Sequence, residues 1–167
     1  MPSIEMSRLS NDARVWVFGV SPSLQGAAGE MLLREVDRFL SEWSAHGTPV
    51  TSGREVIDGS FLVIAAEKNS ETSGCSIDRL FHTLRSLEHD LRVSIIDTER
   101  VFYRDLSGAV RAASRSEFRE LAGNRAVNAG TPVFDPLVET VGAIRRGELE
   151  KPAAASWHAA AFLLASS

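Results

Sequence analysis

The chain predicts an α+β fold with a ferredoxin-like core: a β-α-β-β-α-β antiparallel sheet with two helices on one face, followed by a mostly helical C-terminal extension. Three observations carry that expectation. Two long segments, about 25–45 and 76–91, repeat apolar residues at steps of three and four. Runs of β-branched and aromatic residues precede, separate and follow them. Asp58-Gly59 falls between two of those runs, a strong short-range hairpin signal.

Residues 1–12 are polar and aperiodic and read as a loose arm. Arg14–Val20 (RVWVFGV) is the first strand, with Val15 and Val17 on one face and Trp16 and Phe18 on the other. Ser21-Pro22-Ser23 ends it. In the first helix Met31, Leu32, Val36, Phe39, Leu40 and Trp43 form the apolar stripe, and Gly47 is placed to terminate it. Val50–Ile57 and Ser60–Ala66 (SFLVIAA) are the two hairpin strands; the second is apolar on both faces and so belongs at the sheet's centre. The second helix buries Ile77, Leu80, Phe81, Leu84, Leu87 and Leu91, with Ser76 as its N-cap and Asp78 in its first turn. Arg92–Ile96 completes the core as a fourth strand, giving a core of 13–105 and an extension of 106–167 within a single domain of 1–167. Beyond the fourth strand, Val101–Asp105 and Ala109–Ala113 pair around Leu106-Ser107-Gly108, and Ser116–Val127 is a short helix. Asp135-Pro136 caps another helix ending near Gly147. The apolar tail with Phe162, Leu163 and Leu164 needs a surface to bury against. The sheet face opposite the helices, assigned Trp16, Phe18 and Phe61 or Leu62, needs a cover. The extension, or a partner subunit in a homo-oligomer, would supply it.

Composition narrows the function. The chain has 167 residues, of which 44% are hydrophobic and 24% charged, enough apolar material for a packed core. A formal charge of −4 argues against a protein that grips phosphate backbones, so no nucleic-acid partner is expected. The single cysteine, Cys75, leaves no disulfide within the chain. The longest apolar stretches, Phe61–Ala66 and Ala159–Ala165, fall far short of the ~20 residues a membrane span needs, and the first residues hold no apolar leader. The expected location is the cytoplasm, with no membrane partner.

The most specific string is Ser73-Gly74-Cys75-Ser76-Ile77-Asp78, at a loop-to-helix junction. Free backbone N–H groups and the helix dipole favour negative charge there and can lower a thiol's pKa. The bland alternative is a tight turn in which Gly74 supplies unusual dihedrals. In a ferredoxin-like chain the end of the first helix, Ala45-His46-Gly47, reaches the same edge of the sheet. Cys75 with His46 would then be a nucleophile–base pair, with Asp78 or Asp105 orienting the imidazole. Ser73, Gly74 and Ser76 would form an anion site beside it. Against this, a histidine at a helix C-terminus is favourable simply as a charge opposing the dipole.

Other chemistries lack parts. His82 and His89 are two helical turns apart, roughly 10 Å along the axis, too far to grip one ion, so no metal is expected. GVSPSLQGAAG matches no dinucleotide fingerprint, GxxxxGK[ST] is missing, and Lys68 and Lys151 are the only lysines, so no cofactor is implied. Gly26 and Gly29 read as close-packing or helix-entry residues. Trp16 and Phe18 could stack bases but lack a basic surround.

Trp43-Ser44-Ala45-His46-Gly47, Ser73-Gly74-Cys75-Ser76-Ile77-Asp78 and the closing Ser156-Trp157 together resemble a family of small bacterial proteins of the Bacteroidetes type. Its members carry an early strand like VWVF, a W-x-x-H-G helix end, an S-G-C-S-I-D helix start and a final S-W. They often bear the label "ABC transporter ATPase", an activity at odds with the missing phosphate loop. The resemblance spans most of the chain and is weakest over 110–155. It implies a shared fold and a shared edge made by His46, Ser73, Gly74, Cys75, Ser76 and Asp78, and no substrate. The functional expectation is a noncatalytic binding or assembly module; the alternative is a thiol-dependent enzyme or redox protein using Cys75 and His46.

Overall fold

The computed structural model describes residues 5–68 and 74–166. Its contacts group into two compact units: residues up to Ile96 with Leu137–Arg146, and Asp97–Pro136 with Gly147 onward. The sequence reading has one domain, 1–167, with a core at 13–105.

In the first unit, β1 (Arg14–Gly19), β4 (Ser52–Ile57) and β5 (Phe61–Ala66) make an antiparallel sheet in the order β1-β5-β4. Asp58 and Gly59 turn between β4 and β5 with φ of 53° and 64°, left-handed at both positions as a two-residue hairpin requires. The apolar run of β5 is central and buried along its whole length. Helices α1 (Gly26–Glu42) and α2 (Gly74–Leu91) cover one sheet face. Leu32, Val36 and Leu40 of α1 and Leu80, Leu84 and Leu87 of α2 share a core with Phe18, Leu62, Ile64 and Ala66. An α+β architecture with a small antiparallel sheet flanked by helices is what the sequence led us to expect.

Four details are corrected. Trp16 and Phe18 face the helices, Trp16 against Trp43 and Phe18 against Phe81, while the opposite sheet face carries Val15, Val17, Phe61, Val63 and Ala65. Met31, assigned to the buried stripe of α1, is 48% exposed. The fourth strand, Arg92–Ile96, contracts to one bridge between Ser94 and Ser21. The same edge of β1 is taken at its other end by residues 139–141, where Val15 N–H donates to the Glu139 carbonyl and Val141 N–H to that of Ala13. The register leaves odd-numbered β1 amides on that edge, so two distant segments divide the place of one strand. Gly47 does not terminate a helix: α1 stops at Glu42, and His46-Gly47 is the turn of a minimal hairpin between β2 (Ser44–Ala45) and β3 (Thr48–Pro49).

The described part of the N-terminal arm is tied down. Arg145 of α4 (Val141–Arg145) donates to the carbonyls of Met6, Ser7 and Leu9 and to Asn11 Oδ1, and Glu67 accepts from Ser10.

The second unit is not mostly helical. It contains a four-stranded antiparallel sheet in the order β7-β6-β8-β9, from β6 (Arg100–Arg104), β7 (Val110–Ser114), β8 (Pro132–Phe134) and β9 (Glu150–Pro152). The β6–β7 hairpin matches the sequence reading. Helix α3 spans Arg115–Gly123, capped by the Ser114 hydroxyl, and α5 is four residues, His158–Ala161. Asp135-Pro136 opens no helix; Thr140 caps α4 instead, its hydroxyl accepting from Ala143 N–H. Val101, Ala113, Phe118, Val127, Val133, Ala153 and Phe162 form the core of this unit.

Candidate functional site

The motif segments WSAHG and GCSID meet in the first unit. The Trp43 indole N–H donates to the Ser76 carbonyl at 3.1 Å, and the Arg79 guanidinium donates to the Ser44 carbonyl. Both bonds join the end of α1 and the hairpin after it to the start of α2. Trp43 is 2% exposed and packs edge-on against Trp16 and at a tilt against Phe39, so this junction is anchored in the core.

Beside the junction lies an open cleft of about 510 Å³, lined among the described residues by Phe39, Glu42, Trp43, Cys75, Asp78, Arg79, His82 and Thr83. The α2 residues follow helical spacing, 75, 78/79 and 82/83, and present one face toward Phe39, Glu42 and Trp43 of α1. Cys75 is an exposed free thiol. Asp78 shares the cleft with it.

His46 is not among the lining residues. It sits exposed on the hairpin tip with φ of 51°, followed by Gly47 at 78°. The imidazole that does share the cleft with Cys75 is His82, two turns along the same helix. Ser76 is no N-cap: α2 begins at Gly74, so Ser76 is its third residue and is 1% exposed, and Asp78 is its fifth. Ser73 lies outside the described residues. Gly74 has open space where a Cβ would be, so no steric demand holds glycine there. Asp105 is engaged in the β6–β7 turn of the second unit, accepting from Ser107, Ala109 and Arg111. Those bonds, the Ser107 hydroxyl first, hold its carboxyl well below the usual carboxylate range.

Sequence reasoning missed Phe39, Glu42, Arg79, His82 and Thr83 as cleft neighbours. The signal that finds them is the helical spacing of 75, 78/79 and 82/83 on the face of α2 that meets α1. Among the described residues no group of three His, Cys, Asp or Glu side chains is arranged to hold a metal ion, and no helix is long and apolar enough to cross a membrane. No family model matches the chain, and no curated protein or solved structure matches it.

Proposed function

We propose that this is a noncatalytic binding or assembly module of the cytoplasm, self-associating, with the α1–α2 cleft as its contact site. On this reading the first unit is a ferredoxin-like domain whose fourth strand is reduced to the Ser94 bridge, shared by the bacterial family with the WSAHG and SGCSID motifs. One observation carries the reading. Two polar groups at the start of α2 are bonded into the fold: the Arg79 guanidinium to the Ser44 carbonyl, and the Ser76 carbonyl to the Trp43 indole. A guanidinium that closes a hairpin onto a helix is poorly placed to serve a thiolate as well.

The second reading is a thiol-dependent enzyme or redox protein. It is favoured by the exposed Cys75 thiol beside Asp78 and His82 in one cleft, with His46 on the neighbouring hairpin. Alkylation of Cys75 by iodoacetamide near neutral pH separates the two. The module predicts the rate of a small free thiol measured alongside. A rate tenfold faster or more would establish the second reading in its place.

A further inference from the structure

We propose that residues 156–166 form an acid-released strap, held in the second unit by a neutral His158 and loosened when that ring takes a proton from solvent. His158 is 1% exposed, a buried polar side chain among aromatic rings. Trp157 stacks on it at 3.8 Å, Phe118 meets it edge-on at 6.4 Å, and Phe162 lies nearly parallel to it at 6.4 Å. Its Nδ1 shares a 2.7 Å hydrogen bond with the Ser156 hydroxyl.

The charges facing the ring are ill suited to an imidazolium. Arg115 of α3 and Lys151 of β9 oppose it, and Asp135, after β8, favours it. Asp135 already pairs with Lys151 at 3.5 Å, and Arg115 with Glu99 at 3.0 Å. Arg119, also of α3, stands over Phe162 at 5.8 Å and adds a further cation. Burial, more than these charges, pushes the His158 pKa down to about 4.

The strap is short and its hold is local. Phe162 is 5% exposed in the core of the unit, with Leu164 packed against that core. The Ala165 carbonyl accepts from Ala129 N–H at 2.7 Å, and Phe162 and Leu164 N–H groups bond within the strap. Between them Leu163 is 89% exposed with φ of 51°, a costly backbone state for leucine. Opening returns the ring to water, where its ordinary pKa is ~6.5. A folded value below the open one means the closed state is favoured fully above pH 6.5 and progressively less as pH falls toward 4. Between pH 7 and 5 the opening equilibrium should rise about 20-fold by that linkage.

Amide hydrogen exchange of the full chain at pH 7 and pH 5, corrected for intrinsic rates, tests this. Protection of the Ala129, Phe162 and Leu164 amides is expected to fall about 20-fold at pH 5, relative to the β6–β7 ladder as internal reference. Protection ratios that stay within about twofold would overturn the strap. In His158→Gln the pH step should vanish, and its persistence would assign the effect to another group. Should that variant fail to fold, the His158 Cε1–H shift of the natural chain decides: a midpoint far below 6.5 supports the strap, and one near 6.5 with the amides still protected refutes it.

Discussion

The first unit packs its sheet under helices of 17 and 18 residues, whereas the second relies on strands of three to five residues, with helices of nine and four. In the first, aliphatic stripes meet an apolar strand over many turns. In the second, the core converges on one ring: Phe118, with Tyr103 at 5.5 Å and Phe162 at 4.8 Å. Packing around one hub ties distant segments to a single residue.

Truncation of the aromatic anchors gives the largest effects. Trp43→Ala and Phe118→Ala should each lower stability by about 3–5 kcal/mol in urea titrations, since both side chains are almost fully buried. A loss below ~1 kcal/mol at Phe118 would break the hub description. Gly29→Ala comes next. A Cβ there would run into the Leu24 carbonyl, so we expect a loss of about 1–3 kcal/mol. Helix propensity alone would predict a gain of ~1 kcal/mol, and a raised urea midpoint would refute the close approach. The smallest change is His46→Asn. Asparagine tolerates the left-handed φ of 51° better, and a gain of a few tenths of a kcal/mol is expected in the same titration.

The contrast between the units is also a contrast in legibility. Leu32, Val36, Leu40, Leu80 and Leu84 announce their helices because a 3.6-residue period is a local property. Asp58-Gly59 sets the β4–β5 turn by the same local logic. The second unit depends on pairings such as Tyr103 with Val133 and Val133 with Lys151, which no short window contains. Asp135-Pro136 looks like a helix start because the same residues suit a helix entry and a strand exit. The loss of the fourth strand is of this kind too. Ser94 pairs with Ser21, but residues 139–141 hold the other end of β1, and their arrival from more than forty residues away leaves no trace near Arg92.

The candidate site was legible in part. The sequence places Ala45-His46-Gly47 beside Gly74-Cys75-Ser76; the bonds seen between these stretches run instead through Trp43 and Ser44, and Cys75 with Asp78 lines a cleft there. His46-Gly47 reads as a helix end in the sequence because His-Gly serves both as a C-terminal stop and as a hairpin turn. The two readings differ only in where the preceding helix stops.

Arg79→Met, assayed in one sample for urea stability and for Cys75 alkylation, tests the account at its centre. Removing the guanidinium bond to the Ser44 carbonyl should cost about 0.5–1 kcal/mol and leave the alkylation rate unchanged, because the group holds the hairpin to α2. Unchanged stability with alkylation slowed by a factor of ten would contradict it, for Arg79 would then be serving the thiolate.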